Sequence, residues 1–239
     1  MSLGRVCLGF VVCCGLAASA GATVVQAVSG YSVTGDPVSF EAHFTIDGDS
    51  LIVELYNTSA EATSSPDDML CSYYFDIVNG AGERPTLTYD GATGQVWQTD
   101  RWSEDTMVDA SADLRATSAG QHTWEFREME PTAAPYAGFG LGTVGNSDLS
   151  PNNFHGNITG GFNYSLYAGD ISTANLDDYP LVKPRAEFMF HGISGFTEAD
   201  ISDVGVFGMG TGPDTLLSTP EPASGLLLGL SALLLRRRR

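Results

Sequence analysis

Val38–Tyr56 reads VSFEAHFTIDGDSLIVELY, and this stretch determines the fold class. From Val38 to Ile46, apolar residues occupy every second position and polar residues occupy the positions between them. A period of two residues is typical of a strand that buries one face. The apolar pattern resumes at Leu51, after a turn that contains Asp47-Gly48, a frequent sequence between paired strands. The stretch therefore predicts an antiparallel β-hairpin.

Comparable short segments recur along the rest of the chain. A second hairpin is predicted over Thr86–Trp97, with Asp90–Gly94 as its turn. Only Ser103–Ala116 is compatible with a helix, and its apolar positions are sparse. The other predicted strands, all rich in aromatic and branched residues, are Val24–Val33, Leu70–Val78, His122–Arg127, Tyr136–Val144, Phe162–Tyr167, Ala186–Gly192 and Ile201–Phe207. Many short strands with turn residues between them predict an all-β fold of two packed antiparallel sheets, a β-sandwich, with a jelly roll among the arrangements allowed.

The amino-terminal segment has the pattern of an export signal. Arg5 is followed by the apolar run Val6–Ala20, which predicts a signal helix. Ala18 and Ala20 then supply the small residues that signal peptidase requires at a cleavage site. Residues 1–22 are therefore interpreted as a signal peptide, and the mature chain is expected to begin at Gly21 or Thr23.

The carboxyl-terminal segment combines three different elements in a fixed order. Pro220, Glu221 and Pro222 form a rigid break, because proline fixes φ and has no amide hydrogen to donate within a helix. A leucine-rich run, Ala223–Leu235, predicts a short hydrophobic helix. Four arginines follow it and suit the anionic cytoplasmic face of a membrane, where they would act as a stop: Arg236, Arg237, Arg238 and Arg239.

This order of elements resembles the PEP-CTERM sorting signal of exported bacterial surface proteins. The resemblance implies that an exosortase, a membrane-embedded protease or transpeptidase, recognises Pro220, Glu221 and Pro222. That enzyme would remove the helix and the arginines, after transient membrane insertion, during export to the surface of a Gram-negative-type bacterium. The implied domains are a signal peptide (1–22), an extracellular β-sandwich (23–211), a linker (212–219) and the sorting signal (220–239).

The length of the hydrophobic run leaves two alternatives to a sorting signal. Ala223–Leu235 contains thirteen residues, and as a helix these would span ~20 Å against a hydrocarbon core of roughly 30 Å. Snorkelling arginines and local thinning of the bilayer would close this gap. The alternatives are a retained tail anchor and an apolar helix that docks on the body. A sorting signal is favoured over both, because a docked helix would not require four terminal arginines.

Charge and cysteine content restrict the partners of the body. Between Thr23 and Thr219 lie 28 acidic and six basic residues, a net charge of −22, because Arg5, Glu221 and the four terminal arginines fall outside this range. Such a surface disfavours nucleic acid as a partner, since phosphate binding needs cationic groups. Cys71 is the single cysteine of this body and lies in an apolar run, which indicates a buried residue and excludes an intramolecular disulfide.

The candidate sites in the body lack the residue spacing of known metal and catalytic motifs. Asp47 and Asp49 lie on one turn and are a calcium candidate, although an ordinary hairpin turn is favoured. We expect no other metal or cofactor. His43, His122, His155 and His191 are too scattered to share a metal ion. Gly192-Ile193-Ser194-Gly195 resembles the Gly-x-Ser-x-Gly nucleophile elbow, but Phe196 occupies the position of the final glycine. The segment is therefore interpreted as a loop.

Three functions remain open. The first is a non-catalytic surface or matrix protein held near extracellular polysaccharide and processed by signal peptidase and an exosortase. The second is a carbohydrate-binding β-sandwich in which Trp97, Trp102 or Trp124 stacks on sugar rings, although Trp124 and Phe126 are expected to face the core. The third is an extracellular hydrolase, for which the sequence offers no convergent set of catalytic residues.

Overall fold

The computed structural model describes residues 23–100, 102–115, 124–129, 138–143, 154, 163–210 and 215–219. Within these residues, eleven strands form two antiparallel sheets. The prediction of an all-β fold with two antiparallel sheets is therefore confirmed. The predicted signal helix (1–22) and the hydrophobic helix with its arginines (220–239) lie outside the described residues.

The larger sheet has six strands. Its spatial order is β1-β2-β3-β9-β5-β6, so the hairpin-connected strands β1 to β3 are followed by a strand that lies more than 120 residues later in the chain. The strands are β1 (Thr23–Tyr31), β2 (Pro37–Asp47), β3 (Ser50–Asn57), β9 (Pro180–His191), β5 (Thr88–Gln98) and β6 (Thr106–Asp113).

The smaller sheet has five strands in the order β11-β10-β4-β8-β7. All of its pairs are antiparallel, and β4 lies at its centre with every residue buried. The strands are β11 (Thr215–Ser218), β10 (Val206–Met209), β4 (Leu70–Phe75), β8 (Gly138–Gly142) and β7 (Glu125–Met129).

The hairpin predicted from Val38–Tyr56 forms as β2 and β3. Asp47 pairs with Ser50, and Gly48 in the turn has a φ of 63°, a conformation that glycine adopts at little cost. Along β2, buried and partly exposed residues alternate from Val38 to Thr45. The period of two in the sequence therefore corresponds to one face in the core and one face outward.

Aromatic side chains of both sheets meet in the core. Phe44 of β2 packs against Phe75 of β4 with ring centroids 5.3 Å apart, and Phe40 stacks on Phe207 of β10 at 6.1 Å. Burying an aromatic side chain stabilises the fold by about 1.5–3 kcal/mol, so these contacts between sheets hold the sandwich together. Trp124 is fully buried, as its spacing from Phe126 predicts.

The prediction of a second hairpin over Thr86–Trp97 is wrong. Residues 88–98 form one strand, β5, which pairs with β9 from Thr88 to Gln98. The register shifts between Tyr89 and Gly91, and again between Gly94 and Val96. The first shift leaves Asp90 as an extra residue of β5, and the second places the extra residues on β9. A bulge adds residues to one strand without ending it, so β5 continues through the Asp and Gly residues that suggested a turn.

Three further segments differ from expectation. Ser103–Ala116 contains strand β6 where a helix was considered, because pairing with β5 outweighs a weak local preference. In the described part of Phe162–Tyr167, Leu166 makes only isolated bridges, to Leu70 and Val182. The expected linker 212–219 contains strand β11, which pairs with β10 and extends the sheet to Ser218. No helix among the described residues has the length and apolarity to cross a membrane.

Candidate functional site

The outer face of the six-stranded sheet carries a patch of polar side chains. In the register between β3 and β9, Glu54 lies opposite Glu187 and Tyr56 lies opposite Arg185. Residues directly opposite each other in an antiparallel pair project from the same face. The intervening residues Leu55 and Ala186 are fully buried, so these four polar side chains project outward.

Arg185 links the two facing carboxylates. Its Nη1 atom lies 2.6 Å from Oε1 of Glu54, and its Nη2 atom lies 3.2 Å from Oε2 of Glu187. Like charges on directly opposite residues destabilise a sheet, and the guanidinium between them offsets that repulsion. A hydrogen bond with Tyr56, followed by the charge of Glu54, raises the pKa of Arg185. The arginine is held in place from three sides while 47% of its side chain remains exposed.

A groove of about 440 Å³ opens beside this arginine. It runs over the part of the sheet where the register between β5 and β9 shifts, with Gln95 of β5 opposite the extra residues Lys183, Pro184 and Arg185 of β9. Extra residues bend a strand and redirect its side chains, and two of these, Pro184 and Arg185, line the groove. The groove is lined by Tyr56, Thr93, Gly94, Gln95, Ala110, Ser111, Pro184, Arg185 and Glu187.

An aromatic pair continues the polar patch onto β2. The ring of His43 lies 4.8 Å from the ring of Tyr56, between centroids, and the imidazole Nε2 lies 2.8 Å from Oε2 of Glu41. His43 was expected on the polar face of its strand, and the structure confirms that position. The patch therefore extends across three neighbouring strands, β2, β3 and β9.

A second polar cluster lies near the end of the same sheet. The Nζ atom of Lys183 contacts Asp105, and the rings of Trp97 and Tyr167 flank the ammonium with centroids at 4.8 and 4.7 Å. Burial, followed by the hydrogen bond with Asp105, raises the pKa of Tyr167. Asp105 accepts hydrogen bonds from both Lys183 and Tyr167, and Lys183 also donates to the carbonyl of Gly169, which indicates a structural role for this cluster.

Asp47 and Asp49, the calcium candidate, lie on the β2–β3 turn as expected. The Oδ1 atom of Asp49 accepts a hydrogen bond from the amide of Ser194 at 3.1 Å, and its carbonyl accepts one from the amide of Gly192. These bonds join two turns and favour the structural role. Among the residues that the structure describes, no group of three or more His, Cys, Asp or Glu side chains is arranged to hold a metal ion.

The other residues singled out in the sequence are distributed as follows. Cys71 is buried in β4, as predicted, and Gly192–Gly195 lies in the loop after β9. Trp97 is half-buried beneath Lys183, and Trp102 is 81% exposed. Residues outside the described ranges include His122, His155 and all proposed processing sites: Ala18, Ala20, Pro220, Glu221, Pro222, Arg236, Arg237, Arg238 and Arg239.

Comparison of the chain with protein-family models, with curated proteins and with solved structures gives no match. The groove must therefore be interpreted from its own chemistry. Sequence reasoning did not identify it, because the pairing of β3 with β9 joins residues more than 120 positions apart. The available signal was the alternation of Glu54 and Tyr56 with buried leucine and valine, which places both side chains outward.

Proposed function

We propose that this chain is an exported, non-catalytic protein of the cell surface or extracellular matrix, sorted and trimmed by an exosortase. The observation that carries the proposal is the order of three elements in the tail: Pro220-Glu221-Pro222, the leucine-rich run and four arginines. The export pattern of residues 1–22 supports it independently. Signal peptidase and the exosortase are the processing partners, and extracellular polysaccharide is the expected environment.

The position of the last strand is consistent with trimming. β11 ends at Ser218, and Thr219 is buried, with its hydroxyl hydrogen-bonded to the amide of Gly205 at 2.9 Å and to the carbonyl of Asp203. The proposed recognition motif begins at the next residue, Pro220. Cleavage at this motif would leave all eleven described strands intact.

The experiment is expression of the full chain in a bacterium with and without an exosortase. We expect loss of the hydrophobic tail only when the enzyme is present. Glu221→Ala should abolish the loss, because it removes the only charge of the motif, whereas Glu198→Ala, a carboxylate in the body, should leave it unchanged. Trimming of the Glu221→Ala variant at the normal rate would refute recognition of this motif.

A carbohydrate-binding β-sandwich is the second candidate, and the groove beside Arg185 is the observation that favours it. The tryptophans do not form a stacking row: Trp124 is fully buried and Trp97 is covered by Lys183. A hydrolase is less well supported, because Glu54 and Glu187 are both ion-paired with Arg185. A catalytic carboxylate pair needs one group free to donate a proton.

A further inference from the structure

We infer that the groove beside Arg185 binds a segment of an uncharged polysaccharide. This inference rests on the carbohydrate-binding candidate proposed above and is independent of tail processing, because all the lining residues belong to β3, β5, β6 and β9. Its volume of about 440 Å³ falls in the range of small-molecule sites, roughly 300–1,000 Å³.

The lining offers donors and acceptors side by side. Arg185 supplies N–H donors, Glu187 supplies an acceptor, and the hydroxyls of Thr93 and Ser111 serve as either. Gln95 adds an amide with both kinds of group. A sugar ring carries several hydroxyls that donate and accept at once, so it matches a mixed polar lining of this kind.

The apolar part of the lining is small. Tyr56, Pro184 and Ala110 provide the carbon surface, enough for the C–H face of a sugar ring to contact an aromatic ring. A protein partner would need a larger apolar or aromatic anchor at the centre of its interface. The composition of the groove therefore favours a glycan over a peptide.

The charge of the groove excludes polyanions. Arg185 is already paired with Glu54 and Glu187, so the three side chains together carry one negative charge. The surrounding chain has a net charge of −18. Such a field repels sulfated, phosphorylated or uronic-acid polymers, which leaves uncharged glycans as the class that fits.

The site is also ordered before a ligand arrives. Glu54, Glu187 and Tyr56 hold the guanidinium from three directions, and Tyr56 packs on His43. Groups that are fixed in the free protein lose less conformational entropy when they bind. This arrangement favours measurable affinity despite the exposure of the groove.

The test is calorimetric titration of the full chain, purified in detergent, with neutral hexose oligosaccharides of six units that differ in linkage. A polyuronate of the same length is the charged probe. We expect at least one neutral oligosaccharide to bind and the polyuronate not to bind. Absence of binding by every neutral oligosaccharide, or equal binding of the polyuronate, would overturn the inference.

Three variants locate the binding. Arg185→Ala should weaken it at least tenfold, an effect typical of losing a charge-assisted hydrogen bond. Ala110→Gln should also weaken it, because the longer uncharged side chain enters the groove from an exposed strand position and leaves the ion pairs intact. Arg84→Ala removes an arginine that is paired with Asp76 elsewhere and should bind normally. Unchanged affinity in a folded Ala110→Gln variant would refute this location even if Arg185→Ala fails to fold.

Discussion

The Nζ atom of Lys183 lies 2.7 Å from Oδ2 of Asp105, a carboxylate whose side chain is only 4% exposed. The same oxygen accepts a hydrogen bond from the hydroxyl of Tyr167 at 2.6 Å. Asp105 immediately precedes β6, whereas Lys183 lies within β9. The contact therefore fastens the edge of the six-stranded sheet to its interior.

Asp105→Ala is expected to lower the free energy of unfolding by about 3 kcal/mol, because it leaves an ammonium and a hydroxyl without their shared acceptor. Glu104→Ala, at the exposed neighbouring position, should change it by less than about 0.5 kcal/mol. Urea unfolding followed by circular dichroism measures both values. Equal values for the two variants would contradict a structural role of the Lys183–Asp105 contact.

Removal of an aromatic ring from the core should lower the free energy of unfolding at least as much as Asp105→Ala does. Phe44 is fully buried and contacts Phe75 of the opposite sheet, so Phe44→Ala is expected to lower the free energy of unfolding by about 3–5 kcal/mol. Tyr31→Ala is the matched control, since Tyr31 is 69% exposed, and it should cost less than about 1 kcal/mol. Denaturant titration distinguishes them, and a small effect at Phe44 would mean that the two sheets do not pack as described.

Alanine substitutions at two glycines in one loop distinguish the effect of steric collision from the effect of backbone strain. Gly192 and Gly195 have φ values of 96° and 89°, which side chains of L-residues rarely adopt. A Cβ at Gly192 would lie 2.2 Å from the carbonyl oxygen of Thr86, whereas a Cβ at Gly195 would meet no atom within 4 Å. Gly195→Ala should therefore cost about 1–2 kcal/mol, and Gly192→Ala clearly more. Comparable melting temperatures for the two variants would contradict this loop geometry.

Alkaline pH should destabilise the fold. Burial raises the pKa of Tyr73 and Tyr89, and burial with the hydrogen bond to Asp105 raises that of Tyr167. Because these pKa values are higher in the folded state, their contribution is fully present below the unfolded value of about 10 and is lost as the pH rises further. Each such tyrosine should lower the free energy of unfolding by about 1.4 kcal/mol per pH unit above pH 10.

Urea unfolding between pH 8 and pH 12 measures this dependence. Tyr89→Phe keeps the ring contacts with Phe126 and Phe190 and should reduce the slope above pH 10 by the share of one tyrosine. If the free energy of unfolding is the same at pH 9 and pH 11.5, the pKa values of these tyrosines are not raised in the folded state, and the prediction is wrong.

The fold class was predictable from local patterns, because burial of one strand face imposes a period of two residues. Phe44 and Trp124 were both expected in the core and are found there. The second hairpin was mistaken at Asp90–Gly94 because Asp and Gly serve bulges as well as turns. Local sequence does not distinguish these uses without knowledge of the partner strand.

The groove was not predictable for a related reason. Arg185 precedes the predicted strand Ala186–Gly192, and only the register with β3 places it between Glu54 and Glu187. A site formed by pairing of distant strands leaves no spacing motif in the chain. The proposed processing signals can be predicted from the sequence, because each consists of residues that follow one another in the chain and depends on no pairing between distant strands.

Intact mass spectrometry of the protein recovered from the surface of the producing cell tests the central proposal most directly. The proposal predicts a chain that begins at Gly21 or Thr23 and ends near Pro220-Glu221-Pro222, with the segment from Leu226 to Arg239 removed. A surface protein whose mass still includes Leu226–Arg239 would contradict trimming by an exosortase.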